Sequence, residues 1–320
     1  MMSPVEKTDM NFILIPVKWF LLWMLTFLQR NYYIAKFYYI FRHRVEIKRH
    51  SKAPVIIFQM GKVGSKSIKR SLEALNLDMA IYHSHLLTKE RIAETEKSRK
   101  KFFRTERESY LKRPWLNQFL RKEIRKKHDG KKWNVITLTR DPIARNVSAF
   151  FENLQVDIID SNGTFQIRSD YFNISRSLVS LDNVEVLIDL FFEKLRHNSP
   201  LEFFEKELKE AFGVDVYASE FPKSRGYKIY QNTLADVLLI RLENLSSCAQ
   251  EAFNEFLNIN NFILKSENIG AQKIYAPLYK KFLQTITWPE SYLDTFYESK
   301  FMKHFYTENE IEGFRDNWRQ

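Results

Sequence analysis

The chain has 320 residues, 44% of them hydrophobic and 28% charged, with 27 Phe and 15 Tyr, a globular balance that excludes a disordered polymer. Fifty Lys and Arg against 39 Asp and Glu leave a net charge of +11, which favours an anionic partner such as a nucleotide, a phospholipid surface or an acidic glycan. The single cysteine, Cys248, excludes an intramolecular disulfide and a cysteine-based zinc cluster, and with them a disulfide-stabilised secreted domain.

The first element is a run from Phe12 to Leu28 that is apolar except for Lys18 and Thr26. Its 17 residues sit at the lower bound of a membrane span, which usually needs roughly 20. Beyond it Tyr33, Phe37, Ile40 and Phe41 recur at helical spacing beside Lys36, Arg42 and Arg44, the pattern of an interfacial helix. The alternative is a buried helix packed on the domain. No small-residue cleavage site follows the apolar run, which argues against a signal peptide. The expectation is membrane association through residues 12–41. The basic residues that follow the run keep the downstream domain cytoplasmic, at a bacterial inner membrane; a Golgi membrane, with the opposite orientation, is the alternative.

From Ala53 the texture changes. VIIF at 55–58 is a short apolar run rich in β-branched residues, as in a buried parallel strand. A glycine-bearing loop follows, then a helix whose face carries Ile68, Leu72 and Leu75 and which ends near Asn76. A second strand is expected at Met79–Tyr82, leading into His83 and His85. Residues 95–132 are mostly basic, either a solvated helical face or an electropositive wall for an anionic acceptor or headgroups.

WNVITLT at 133–139 reads as another buried strand, entering a helix with Pro142 in its first turn and Ala144, Val147, Ser148 and Phe151 on one face. Residues 155–185, with Gly163 and several Asn and Ser, read as a long irregular, substrate-facing insertion. Helices are expected around 186–212, a strand at 237–245, and aromatic helices from Tyr275 onward. Alternating strands and helices predict an α/β fold, a P-loop-like three-layer sandwich around a mostly parallel sheet, with an N-terminal apolar helix. The expected division is a membrane-associated segment, 1–50, and one domain, 51–320.

The string QMGKVGSKSIKRSL carries Gly61 and Gly64 so that several backbone amides can approach one point, and it runs into a helix N-terminus able to bind phosphate or sulfate oxygens. Ser65 and Ser67 can add hydroxyl donors, and Lys62 and Lys66 full charges. A Walker A loop fails on two counts, because Ser65 stands where its GK[ST] needs glycine and Met60 where its first glycine belongs.

The segment resembles the 5′-phosphosulfate loop of sulfotransferases that use 3′-phosphoadenosine 5′-phosphosulfate (PAPS), whose core is K-x-G-[ST] after a buried strand; Lys62, Val63, Gly64 and Ser65 match it. A second signature of that family is R-D-P followed by a serine eight residues after the arginine. Arg140, Asp141, Pro142 and Ser148 match it, with Arg145 between. The resemblance implies that Arg140 and Ser148 hold the 3′-phosphate, and Arg140 offers a planar fork suited to it. LLIRLENL resembles the family's apolar strand that ends in an acidic residue and Leu, here Glu243 and Leu245. Resemblance covers about residues 53–305 and extends to Golgi and bacterial carbohydrate sulfotransferases, including capsular polysaccharide synthesis proteins.

Sulfuryl transfer also needs a base for the acceptor hydroxyl. Tyr82, His83, Ser84 and His85 resemble the Y-H-x-H element of glycan 2-O-sulfotransferases, which implies His85 as the base and His83 as the residue that orients it or touches the acceptor. Alternation on an extended strand puts both histidines on one face. The H-x-H pair has no third metal ligand nearby, so no metal is expected. Asn268 and Lys273 are polar candidates in a stretch that reads either as a loop closing over the nucleotide or, equally, as a plain connection between helices. Sequons at Asn146, Asn162, Asn173 and Asn244 read as accidental, since Asn146 falls inside the nucleotide motif.

The expectation is a PAPS-dependent sulfotransferase acting on a carbohydrate hydroxyl, with no nucleic-acid partner. Two other readings stay open: a P-loop nucleotide kinase or NTPase, and a non-catalytic basic module binding membranes or polyanions through residues 95–132.

Overall fold

A computed structural model describes residues 30–105, 109–126, 132–160, 163–265 and 273–319. In chain order, α1 (Tyr32–Arg49) precedes β1 (Val55–Phe58), α2 (Ser65–Glu73) and β2 (Ile81–Ser84). The chain then runs through α3 (Lys89–Arg99) and α4 (Ser109–Ile124) to β3 (Trp133–Thr139) and α5 (Pro142–Asn153). Three strands follow, β4 (Gln155–Ile158), β5 (Thr164–Ser169) and β6 (Ile174–Ser180). After α6 (Glu185–Lys194), α7 (Ser199–Phe203) continues through a π-helical turn into α8 (Glu210–Phe212). The edge strand β7 (Tyr227–Gln231) and β8 (Ala235–Arg241) lead to α9 (Leu245–Leu257), and α10 (Ala276–Thr285), α11 (Glu290–Tyr297), α12 (Lys300–Phe305) and α13 (Glu308–Arg319) close the chain.

These elements form two compact units, one drawn from residues up to 51 together with 89–126, the other from 52–88 together with 127 onward. In the first, the Asn31 side chain caps α1 by accepting from the Tyr33 and Ile34 amides. Ala35 packs with Leu111 and Trp115 of α4, flanked by Tyr32, Tyr39 and Phe103. Glu96 on α3 accepts from Tyr32 Oη and pairs with Lys36, which fastens α3 to the same helix. The basic stretch 95–132 thus supplies much of α3 and α4. The expected apolar helix at 12–28 lies outside the described residues; among those described, no helix is long and apolar enough to cross a membrane.

The second unit is mixed α/β, built on a five-stranded sheet of order β2-β1-β3-β8-β7. β2, β1, β3 and β8 are parallel and β7 is antiparallel at the edge. VIIF is completely buried, as a parallel strand covered on both faces requires. From β1 the chain goes to β2 on one side, and from β3 to β8 on the other. β1 and β3 therefore flank the topological switch point, the place where open α/β sheets generally receive their ligands.

The sheet's limits depart from expectation in two places. β2 starts two residues late, at Ile81, because Met79 and Ala80 still belong to the buried approach from α2. β8 ends at Arg241, and 242–244 turn as a 3₁₀ helix instead of continuing the strand. The expected irregular insertion at 155–185 is corrected more fully: β4, β5 and β6 form an antiparallel three-stranded sheet. In β5 the side chains of Phe165, Ile167 and Ser169 are buried while Thr164, Gln166 and Arg168 alternate outward.

Arg241, at the end of β8, is 2% exposed. It donates to the carbonyls of Lys223 (3.0 Å) and Phe305 (3.3 Å), pairs with Glu310 of α13, and lies 4.4 Å over the Tyr306 ring. One side chain thereby joins the sheet to the last two helices. Arg241→Ala is expected to lower stability by about 3 kcal/mol, at the low end for a broken buried pair because Glu310 can hydrate. Urea denaturation measures it, and a loss under about 0.5 kcal/mol, the size of an ordinary surface substitution, would contradict this role.

Candidate functional site

Four chain segments converge at the C-terminal edge of the parallel strands: the loop 59–64 after β1, His85 after β2, Arg140 and Asp141 after β3, and residues 242–244 after β8. The loop after β1 has two residues in left-handed conformation, Lys62 at φ 74° and Gly64 at φ 88°. A Cβ on Gly64 would lie 2.9 Å from Leu242 Cδ1, so conformation and space both call for glycine. Gly61 differs: its backbone is not left-handed and a Cβ there would meet nothing, so the expected demand for two glycines holds at one.

Lys62, unlike Gly64, carries a strained backbone with a side chain attached. The R-D-P segment holds it there. Arg140 Nη1 donates to the Lys62 carbonyl at 3.1 Å, and Arg145 Nε donates to the Gly61 carbonyl at 3.1 Å. The two motifs separated in sequence are thus joined side chain to backbone across the switch point. α2 begins at Ser65 with Gly64 as its N-cap, so no side chain caps its first amides. Ser65 is buried in the first turn, Lys66 is exposed and Ser67 is half-buried.

The charge balance depends on Glu152, which the sequence did not single out. Its carboxylate lies 3.3 Å from Lys62 Nζ, 3.6 Å from Lys66 Nζ and 3.6 Å from Lys273 Nζ, and accepts from Tyr275 Oη at 3.4 Å. The available signal was helical spacing: Arg145, Ser148 and Glu152 stand at i, i+3 and i+7 of α5, one face. Burial pushes the Glu152 carboxyl up, but Lys62 and Lys273 outweigh it and the net shift is downward. Lys62 goes down as well, because burial penalises its ammonium more than Glu152 restores it. Of the two polar residues named in the stretch before α10, Lys273 lies beside Glu152, and Asn268 lies outside the described residues.

His83 and His85 meet, with ring centroids 4.4 Å apart and nearly perpendicular planes. His85 Nδ1 lies 2.8 Å from the Gln59 carbonyl. A carbonyl only accepts, so Nδ1 carries the hydrogen and Nε2 of the neutral ring holds the lone pair. The first residue of the loop therefore sets the tautomer of the expected base. Gln59 is itself fully buried, and its side-chain amide has no hydrogen-bond partner among the described residues; the same holds for the Thr139 hydroxyl at the end of β3. Orphaned polar groups at two adjoining strand ends are unusual in a packed interior.

Behind the site stands a buried acid pair. Asp141 caps α5 by accepting from the Ile143 (3.1 Å) and Ala144 (3.3 Å) amides, and also accepts from Tyr297 Oη (3.1 Å) and Trp318 Nε1 (3.0 Å). Burial raises its pKa and these donors pull against the rise. Glu243, noted in the sequence at the end of β8, accepts from the Asp141 amide at 2.8 Å and from Tyr306 Oη at 3.1 Å. The C-terminal helices thus fix the start of α5, and with it the direction of Arg145, Ser148 and Glu152.

Residues 158–307 match a family model described as "Putative capsular polysaccharide synthesis protein". The matched stretch is just under half of the chain and includes β8, Glu243 and Lys273, while Lys62, His85, Arg140 and Ser148 lie before it. No curated protein and no solved structure matches the chain. The similarity is to a family named for polysaccharide synthesis. Of the four sequons, Asn146 is fully buried and donates to the His197 carbonyl at 3.0 Å, so it cannot carry a glycan in the folded chain.

The ion cluster has a pH signature. The folded-state pKa of Glu152 lies below its ordinary value of 4.5, so its contribution to stability is complete above pH 4.5 and is lost as pH falls through the folded value. Glu152→Gln should melt below the wild type at neutral pH, with the gap closing as pH drops below 4.5. A gap that is constant down to the acid limit would show that the lysines do not stabilise this carboxylate.

Proposed function

We propose that the chain is a PAPS-dependent sulfotransferase that sulfates a hydroxyl of a carbohydrate acceptor, on a P-loop-like three-layer α/β scaffold. The observation that carries this reading is the bond between Arg140 and the Lys62 carbonyl at the switch point. It unites the two segments that resemble the donor's 5′-phosphosulfate and 3′-phosphate sites, in the crevice where an open α/β sheet receives its ligand. The uncapped amides of α2, the converging lysines and the orphaned Gln59 and Thr139 side chains fit a polyanionic, hydrogen-bonding ligand.

In the reaction, a bond forms between the acceptor oxygen and sulfur while the bond from sulfur to the 5′-phosphate oxygen breaks. The acceptor proton passes to His85 Nε2, and 3′,5′-bisphosphoadenosine leaves with the bridging oxygen. Lys62 meets the charge that grows on that oxygen, and the α2 amides hold the oxygens around it. Arg140 and Ser148 bind the 3′-phosphate. His83, packed on His85, steadies the imidazole. Glu152 holds Lys62, Lys66 and Lys273 together and yields them as the anionic donor enters. The carbohydrate acceptor, and a capsule-type polysaccharide in particular, is supported by the match of residues 158–307 to a polysaccharide synthesis family and by the likeness of Tyr82–His85 to a glycan sulfotransferase element.

Calorimetry with 3′,5′-bisphosphoadenosine tests the donor site. The wild type should bind it more tightly than ATP, and Arg140→Ala should weaken it by tenfold or more, about 1.4 kcal/mol or above. No binding to the folded protein would overturn the assignment. His85→Ala should keep that affinity and lose turnover, and unchanged turnover would move the base to another residue.

A further inference from the structure

The net charge of the chain is not spread over it. Residues 1–51 and 89–126, the ranges of the first unit, contain 22 Lys and Arg against nine Asp and Glu, a net +13, whereas the rest contains 28 against 30, a net −2. The positive excess that composition assigned to an anionic partner of some kind therefore belongs to the first unit.

Within this unit α1 has two apolar faces. One, with Ala35, Tyr32 and Tyr39, is used against Leu111 and Trp115. The other carries Tyr33 and Phe37, each 70% exposed, with Phe41 at 53% and Val45 at 49%, and Ile34 and Tyr38 beside them. At about 100° per residue these six fall in an arc of about 140° opposite the packed face. They are six of the 14 large hydrophobic side chains exposed among the described residues, all on one 18-residue helix. Exposed Lys48 lies within the arc, and exposed Arg42 and Arg49 lie along its border.

We propose that this unit docks on an anionic phospholipid surface through the outer face of α1. A bare aromatic face on a monomeric surface marks a binding site. Aromatic rings interleaved with basic side chains suit the headgroup boundary, where the rings enter the acyl edge and the cations meet phosphates. A soluble polyanion would use the cations and leave Phe37 and Phe41 in water, so the exposed rings decide for the bilayer.

The test is sedimentation of the full chain with vesicles of phosphatidylcholine alone and of phosphatidylcholine mixed with phosphatidylglycerol. A double variant, Phe37→Ser with Phe41→Ser, removes only exposed rings, and 3′,5′-bisphosphoadenosine binding or circular dichroism verifies its fold. The expected result is preference for the anionic vesicles, lost at high salt, with affinity at least tenfold weaker in the double variant. Equal vesicle binding by wild type and variant would assign attachment to another segment and overturn the proposal. So would binding to a soluble sulfated dextran with no binding to either vesicle.

Discussion

The candidate site depends on a single joint, the pair of hydrogen bonds by which Arg140 and Arg145 hold the carbonyls of Lys62 and Gly61. Parallel strands bring their C-terminal ends to one edge, but adjacency alone does not set the shape of the loops there. The arginines do this by taking two carbonyls of the loop. Lys62 can then occupy a left-handed conformation that would otherwise cost of order 1 kcal/mol or more.

That joint is supported from behind. Asp141 and Glu243, both buried, bind the start of α5 and the end of β8 to Tyr297, Tyr306 and Trp318, residues more than fifty positions downstream. Burying two carboxyls is costly unless their oxygens find donors. The aromatic hydroxyls and the indole supply them without adding charge, so the C-terminal helices act as the back wall of the site. The local positive field in front comes from a few lysines around Glu152, in a unit whose overall charge is slightly negative.

Much of this was legible in the sequence because it is local. Buried strands at 55–58 and 133–139 announced themselves as unbroken apolar runs, and both have the expected limits. The histidine pair followed from strand alternation. What escaped notice is non-local or obscured by turn residues. The alternation of β5 was hidden among the Asn, Ser and Gly of its connections, and β7, an edge strand reading YKIYQ, is too polar to resemble the buried strands beside it. Glu152 is unremarkable until α5 brings it opposite lysines from 62 and 273. No spacing rule links those three positions. The basic run at 95–132 was readable as charge but not as part of a unit that also takes in α1.

Group transfer is the decisive property of a sulfotransferase. Incubating the full chain with PAPS labelled in its sulfuryl group and an anionic or neutral capsular-type polysaccharide should move the label to the polysaccharide and release an equal amount of 3′,5′-bisphosphoadenosine, with no added metal needed. Binding of the bisphosphate with no label transferred to any carbohydrate, or hydrolysis of ATP in its place, would contradict it.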